Sequence, residues 1–219
     1  MTKPIFILAS NSPRRRQLLT LTGWMFHILP ADIDESRLAD EDPSAYVLRL
    51  VEAKARAVLP QVRAESIIIA ADTTVVDGND ILGKPADMGE AEQMLRRLRG
   101  RVHQVYTAIA VLRSADGALL TDLNVTDVAM RDYTDDEMQA YIATGDPLDK
   151  AGGYAIQHPR FQPVPDLQGC YAGVMGLPLC HLVRTLAKFG LTPQAEVPRA
   201  CQNTLRYVCP VFRQILRGE

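Results

Sequence analysis

The stretch Ile67-Ile68-Ile69-Ala70-Ala71-Asp72-Thr73-Thr74-Val75-Val76 predicts the central strand of a β-sheet. Its first half is apolar at every position. This is typical of a strand buried on both faces, because a strand with one exposed face alternates apolar and polar residues. Asp72 follows the apolar half directly. Side chains at the carboxyl ends of strands line the ligand crevice in open α/β sheets, so Asp72 is a candidate site residue.

Strand and helix signals alternate on the N-terminal side of this stretch. Residues 4 to 9 are an apolar run, and Ser12-Pro13 begins a helix that ends at Gly23, with serine as N-cap and proline at the first helical position. Asp42-Pro43 begins a second helix, which runs to about Leu59. This order predicts a strand, a loop and a helix, followed by a further helix that leads into the central strand.

Hairpin signals follow on the C-terminal side. Val102 to Arg113 and Ala118 to Met130 are long strand candidates joined by a turn that contains Gly117. Hairpins combined with strand-to-helix crossovers predict an α/β domain with a mixed sheet. Further strands are predicted at Met25 to Leu29, Ile81-Leu82 and Tyr154 to Gln157, and further helices at Gly89 to Leu98, Thr134 to Gly145 and Leu177 to Phe189.

Length and composition favour one large domain, since the chain has 219 residues and is 47% hydrophobic. We assign residues 1–190 to that domain. The residues from 191 to 219 are interrupted by Pro193, Pro198 and Pro210, and carry short helix-like patterns only at Thr204 to Tyr207 and Val211 to Leu216. They are predicted to form a loosely structured C-terminal tail, whose role the sequence does not indicate.

Charge and hydropathy argue against several classes of function. The net charge is -2, so no global field attracts the chain to nucleic acid or to an anionic membrane. The longest apolar stretches fall far short of the about 20 residues that span a bilayer. Met1 to Leu8 lacks a secretory h-region and is predicted to be the first strand. We expect a cytoplasmic protein. The cysteines form no C-x-x-C pair, which predicts reduced thiols at Cys170, Cys180, Cys201 and Cys209.

The first constellation with chemical meaning lies at the predicted start of the first helix. A helix N-terminus offers unpaired N–H groups and the positive end of a dipole, which suit a phosphate chain. Two hydroxyls and two guanidiniums add to that anion site. The alternative is an ordinary N-cap followed by a solvated basic turn. The residues concerned are Ser10, Ser12, Arg14 and Arg15.

Two carboxylates are candidates for a cation site. Asp72 is placed to hold a divalent cation or to orient a water molecule, and Glu35, in an acidic loop, is the natural second ligand. Magnesium prefers oxygen ligands and keeps some of its waters. The alternatives are an Asp72 that hydrogen-bonds a nearby turn and a solvated Glu35.

Two lysines and a glutamine complete the candidate set. Lys54 lies near the apolar stripe of its helix, so it is predicted to lean inward, with snorkelling past the core edge as the alternative. Lys84 lies in the turn Leu82-Gly83-Lys84-Pro85. Gln157 follows the paired glycines of Asp149-Lys150-Ala151-Gly152-Gly153, and its amide can both donate and accept, as reading a base edge requires. A surface hairpin is the alternative for that last segment.

Taken in order, these segments resemble the successive motifs of the Maf nucleotide pyrophosphatases over about residues 4 to 189. The resemblance implies an elongated α/β fold related to inosine triphosphate pyrophosphatases, with an active-site cleft between two lobes. It also implies a nucleoside triphosphate substrate, a divalent cation (usually Mg²⁺, with Mn²⁺ or Co²⁺ as alternatives) and a homodimer. The motifs are Leu8-Ala9-Ser10 to Arg15, Asp72-Thr73, Leu82 to Pro85, Gly100-Arg101-Val102-His103 to Thr107, Asp149 to Gln157 and Gly176-Leu177-Pro178-Leu179.

The resemblance also implies roles for individual residues. Asp72 matches the proton acceptor, with Lys54 and Lys84 as catalytic cations, and Glu35 together with Asp72 lies at the metal. Arg14, Thr73 and Gln157 match the branch that acts on dTTP and UTP, which releases pyrophosphate and leaves dTMP or UMP. The remaining positions on the phosphate side are Ser10, Ser12 and Arg15.

Three departures and two alternative functions remain open. His158, Ala155 and Gly173 replace residues common in the family, so the base-facing loop is expected to differ in shape. Clearance of non-canonical nucleotides is a further expectation for the enzyme acting on dTTP and UTP. A pyrophosphatase for modified purine nucleotides such as 7-methyl-GTP is one alternative function. The other is a non-enzymatic nucleic-acid or cell-division module. It would use Arg14 to Arg16 with Arg96, Arg97, Arg99 and Arg101.

Overall fold

The computed structural model describes residues 4–219, and within them six strands form one sheet. The order along the sheet is β2-β1-β3-β5-β6, and β4 pairs with β3 at one end. β1 runs parallel to β2 and β3, whereas β3, β5 and β6 are antiparallel, so the predicted mixed sheet is confirmed. The predicted first strand also reached back to Met1, and residues 1–3 lie outside the described part. The strands are β1 Ile5–Leu8, β2 Phe26–Ile28, β3 Ser66–Asp77, β4 Asp80–Leu82, β5 Val102–Arg113 and β6 Leu119–Ala129.

The helices begin where the sequence places their caps. Ser12 Oγ accepts a hydrogen bond from Arg15 N at the first helix, and Asp42 Oδ1 accepts from two backbone N–H groups at the second. Thr134 and Glu137 form a capping box at the start of the helix predicted from Thr134 to Gly145. No helix within residues 4–219 is long and apolar enough to cross a membrane. The helices are α1 Pro13–Thr20, α2 Pro43–Val58, α3 Met88–Leu98, α4 Asp135–Ile142, α5 Tyr171–Met175, α6 Leu179–Ala187, α7 Val197–Leu205 and α8 Phe212–Arg217.

The central strand β3 separates two packed layers. Ile67 and Ile69 belong to the larger core cluster, while Ile68 and Ala70 pack with the buried face of α2, because successive side chains point to opposite faces of a sheet. The same alternation continues into the polar part of the strand. Asp72 therefore lies on the α2 side.

The predicted strand from Tyr154 to Gln157 is wrong. Tyr154, Ala155 and Ile156 are buried but pair with no strand, and they follow a turn in which Gly152 and Gly153 have φ of 68° and 71°. A Cβ at Gly152 would lie 2.8 Å from Val75 Cγ2, so glycine lets this turn press against β3. A short apolar run is equally compatible with a buried loop.

The predicted loose structure of residues 191–219 is also wrong. Helix α7 starts at Val197, well before the pattern at Thr204, with Pro198 in its first turn, where the missing N–H costs nothing. Val197 and Ile215 are buried against the rest of the domain. Arg184 of α6 donates to Ile215 O at 2.9 Å. These residues are an ordered layer on α5 and α6.

All four cysteines line one small apolar pocket where this layer meets the body. They are free thiols, and Cys170 and Cys180 are buried. Burial, with smaller contributions from Cys201 and Cys209, raises the pKa of Cys180 to about 12. A protonated, buried thiol is inert, so Cys180 is a structural residue.

Candidate active-site cleft

A cleft of about 610 Å³ opens beside the polar part of β3. It brings together segments that are far apart in the sequence: the start of α1, the loop before α2, β3, the turn after β4 and the loop that follows Gly153. Every residue that the sequence analysis assigned to the site lines this cleft, namely Ser10, Ser12, Arg14, Arg15, Glu35, Lys54, Asp72, Thr73, Lys84 and Gln157.

Arg15 is fixed by hydrogen bonds in three directions. Its guanidinium donates to Ser10 Oγ and Thr73 Oγ1, each at 3.2 Å, and to the backbone oxygen of Gly176 at 2.9 Å. Burial lowers the pKa of Arg15, and the charge of Asp72 opposes that shift. A guanidinium remains protonated in proteins, so Arg15 is a fixed positive charge in the cleft wall.

The start of α1 supplies further hydroxyl and guanidinium groups that suit an anion. Ser12 N donates to Ser10 Oγ at 3.2 Å, so the two serines share one turn at the helix N-terminus. Arg14 projects across the cleft and lies 3.5 Å from Asp149 Oδ2. Since that pair is long and partly exposed, an entering anion can compete for Arg14 at little cost.

Lys54 joins two carboxylates. Its Nζ lies 2.6 Å from Asp72 Oδ1 and 2.7 Å from Glu35 Oε1, and both Lys54 and Asp72 are buried. The predicted inward orientation of Lys54 is confirmed. The loop that carries Glu35 is held by Tyr46, whose hydroxyl donates to Glu35 O at 2.9 Å. Burial alone would raise the pKa of Glu35, but the hydrogen bond and charge of Lys54, with Lys84 and Arg15, lower it.

The carboxylates suit a magnesium ion that arrives with a phosphate chain. Among the described residues, only Lys54 hydrogen-bonds the Asp72 carboxylate, through Oδ1, so Oδ2 remains available. No group of three or more histidine, cysteine or acidic residues within residues 4–219 is arranged to hold a metal by itself. Magnesium is commonly bound by one or two carboxylates together with substrate phosphates. Asp72 and Glu35 fit that mode of binding.

Lys84 and Gln157 lie at the exposed rim of the cleft. Their loops are tied together, because Gly152 N donates to Gly83 O at 2.9 Å. The tight turn at Gly152 and Gly153 therefore positions the two functional groups relative to each other. The paired glycines in the sequence signal this close approach.

Lys150 and Tyr154 line the cleft as well, although the sequence analysis assigned neither to the site. Lys150 is buried and bonded to Asp146 Oδ1 at 2.8 Å. Tyr154 OH lies 2.7 Å from Nε2 of the buried His103. Burial lowers the pKa of His103 to about 4, so its ring is neutral at neutral pH. The partners lie 51 residues apart, and no local pattern could have paired them.

The departures at His158 and Gly173 have simple structural explanations. His158 Nδ1 accepts from Phe161 N at 3.0 Å and its ring packs 4.8 Å from that of Tyr141, so it faces away from the cleft lining. A Cβ on Gly173 would lie 2.4 Å from Asn124 Nδ2, so the side chain of Asn124 fills the space that a larger residue would need.

Fold and cleft together define an α/β protein that gathers fixed cations and a carboxylate pair in one cleft. The chain belongs to the Maf family, since residues 5–189 match the family model described as Maf-like protein. It is 44% identical to a dTTP/UTP pyrophosphatase of Anaeromyxobacter dehalogenans over 89% of this chain and 99% of that protein. A dTTP/UTP pyrophosphatase of Geotalea uraniireducens is 43% identical to this chain, over 86% of this chain and 96% of that protein.

Among solved structures, the Staphylococcus aureus Ham1 protein is similar with a TM-score of 0.42 and 15% identity, over 73% of this chain and 79% of that one.

Proposed function

We propose that this protein hydrolyses the bond between the α and β phosphates of nucleoside triphosphates, with dTTP and UTP preferred. The observation that carries the proposal is the meeting of Arg15, Lys54 and Asp72 in one cleft. The relatives named dTTP/UTP pyrophosphatase support the choice of reaction and of substrate.

Binding of the triphosphate is assigned to the cationic half of the cleft. Arg14 and Arg15 with the hydroxyls of Ser10 and Ser12 neutralise and orient the phosphate chain at the N-terminus of α1. Lys84, at the exposed rim of the cleft, is assigned to the same phosphate chain. Groups already held in place cost little reorganisation when charge develops on the phosphates, which is the main source of catalysis in phosphoryl transfer.

Water activation is assigned to Asp72. Asp72 accepts a proton from the attacking water, while the hydrogen bond from Lys54 to Oδ1 keeps the carboxylate oriented. Maf-family pyrophosphatases depend on a metal. Asp72 and Glu35 would hold a divalent cation, Mg²⁺ being preferred over Mn²⁺ or Co²⁺, which supplies charge neutralisation at the phosphates when bound.

Base recognition is assigned to Gln157, with Thr73 and Arg14 nearby in the same cleft. The Gln157 side chain makes no hydrogen bond to any other described residue, so its amide is free to pair with a base. An amide presents a donor and an acceptor, as the carbonyl and N–H edge of thymine or uracil requires. The preference for these pyrimidines over 7-methyl-GTP rests on this residue.

A nucleic-acid module is the less favoured function. It would need the arginines around residue 100 to be available, but acidic side chains pair with each of them. Arg97 and Arg101 pair with Asp77, while Arg96 and Arg99 pair with Asp135. We expect no stable nucleic-acid binding and no membrane association. The homodimer and the cytoplasmic location stay predictions.

A screen of triphosphates tests the proposed function. Purified protein is incubated with dTTP, UTP, CTP and 7-methyl-GTP, with MgCl₂ or with EDTA, and pyrophosphate release is measured. We expect release in magnesium only, fastest with dTTP and UTP. A protein that binds DNA with a steep salt dependence and releases no pyrophosphate would instead be the binding module.

A further inference from the structure

The C-terminal segment, residues 191–219, extends beyond the family match at residues 5–189 and contacts two elements that shape the cleft. Gln194 N and Ala195 N donate to Thr22 O at 3.1 and 3.3 Å, directly after α1. Farther along, α7 and the loop after it lie against α5. The segment therefore links the end of the anion-binding helix to α5, the helix that Gly176 caps.

Tyr207 makes the most specific of these contacts. Its hydroxyl lies 2.7 Å from Leu167 O and 2.9 Å from Gly169 O, and it accepts from Gly169 N at 3.3 Å. A hydroxyl donates one proton, so it bonds one carbonyl at a time. The Tyr207 ring also packs against Tyr171, the first residue of α5, with centroids 5.3 Å apart. One side chain thus fixes the loop into α5 and the start of the helix.

The loop that Tyr207 holds has little freedom to move alone. A Cβ on Gly169 would lie 2.5 Å from Thr126 Cγ2, so the backbone is pressed against β6. In a close-packed interior a displacement is passed on to neighbouring groups rather than absorbed. A shift at Gly169 therefore moves α5.

Helix α5 in turn positions the cationic side of the cleft. Gly176 O, just after the helix, accepts the Nε hydrogen of Arg15 at 2.9 Å. Gly173 O accepts from Thr107 Oγ1 at 2.8 Å, and Thr107 Oγ1 lies 3.1 Å from Thr73 Oγ1. Thr73 in turn accepts a hydrogen bond from Arg15. The α5 region therefore contacts the guanidinium directly through Gly176 O and indirectly through Thr107 and Thr73.

We propose that the C-terminal segment braces α1 and α5, and that Tyr207 is a positioning residue that sets the orientation of the Arg15 guanidinium. The inference rests on the proposed function, in which Arg15 holds the triphosphate. Asp72 lies on the other face of β3, toward α2. Loss of the Tyr207 hydroxyl therefore weakens substrate binding and leaves the chemical step intact.

Tyr207→Phe is the test variant, because it keeps the ring on Tyr171 and removes only the hydroxyl. Val208→Ala is the matched control, since Val208 is 87% exposed. We expect Tyr207→Phe to raise KM for dTTP about three- to tenfold, the factor that corresponds to one ordinary hydrogen bond. Its kcat should stay within about twofold of the parent value, which is the signature of lost binding alone. Val208→Ala should change neither constant.

A second measurement separates this inference from the proposed function. Calorimetric titration with inorganic tripolyphosphate in EDTA reports anion binding without turnover, and Tyr207→Phe should weaken it by the same factor as KM. A lower Tm with unchanged KM and unchanged tripolyphosphate affinity would overturn the positioning role. If the parent protein proves inactive but Tyr207→Phe still lowers its affinity for tripolyphosphate, the proposed function is refuted. The positioning role of Tyr207 is supported in that case.

Discussion

The ammonium nitrogen of Lys54 lies 2.6 Å from Asp72 Oδ1, so the proposed base and a buried cation form one unit. The same nitrogen lies 2.7 Å from Glu35 Oε1. One cation therefore holds two carboxylates together on the α2 side of the cleft. Removing any one member alters the charge balance of the other two.

Asp72→Asn should abolish most of the activity while leaving the fold unchanged, because the amide keeps the shape of the carboxylate but cannot accept the proton of water. Loss of general-base function typically costs about 10²- to 10⁴-fold in rate. Steady-state pyrophosphate release is the measurement. Asp127→Asn, at an exposed aspartate of β6, is the control. Near-normal turnover of Asp72→Asn would remove Asp72 from the mechanism.

Lys54→Met should lower activity and also perturb the carboxylates. An apolar chain of similar length suits the edge of the α2 stripe, so the fold is retained. Without the hydrogen bond and charge of Lys54, the lowered pKa of Glu35 should rise. The acid limb of the pH–rate profile should then move to higher pH. Lys188→Met, at an exposed lysine after α6, is the control. An unchanged rate, Tm and profile would mean that Lys54 serves neither substrate nor carboxylates.

Gln157→Glu should impair dTTP and UTP selectively. A carboxylate offers acceptors only, so the acceptor edge of thymine or uracil loses its donor. A base edge left without its hydrogen-bond partner binds more weakly, and we expect kcat/KM to fall about ten- to hundredfold for these substrates. Specificity constants for dTTP, UTP, CTP and 7-methyl-GTP provide the comparison, with the remote Gln61→Glu as control. A parent enzyme that prefers CTP or 7-methyl-GTP would contradict the assignment.

His103 predicts a pH dependence of stability. Burial lowers its pKa from 6.5 to about 4. Between these values the unfolded chain binds a proton that the folded protein does not, so stability is lost as pH falls from 6.5 toward 4. The contribution is at most about 1.4 kcal/mol per pH unit. Urea unfolding from pH 7.5 to 4.5 should show a shallower fall in His103→Gln than in the control His27→Gln. Parallel curves would show that His103 does not titrate as inferred.

The elements that the sequence predicted best are those whose signals are local. The apolar half of β3 and the N-caps at Ser12 and Asp42 depend on neighbouring residues, so strand and helix starts were correct. The inward orientation of Lys54 followed from helical periodicity alone. The family motifs predicted which residues belong to the site. They do not predict how those residues are arranged relative to one another.

The features that the sequence missed depend on contacts between distant residues. The contact from His103 to Tyr154 spans 51 residues, and that from Tyr207 to Leu167 spans 40. Residues 191–219 are structurally ordered because they pack against α5 and α6. Their proline content gave no sign of that packing. The burial of Tyr154 came from the glycine turn against Val75 rather than from strand pairing.

The identity of the first products tests the central claim most directly. Phosphorus NMR of dTTP incubated with the protein and MgCl₂ resolves dTMP, dTDP, pyrophosphate and orthophosphate during the first turnovers. Cleavage between the α and β phosphates predicts dTMP and pyrophosphate in equal amounts, with no dTDP. Early appearance of dTDP and orthophosphate would show attack at the γ phosphate and would contradict the account.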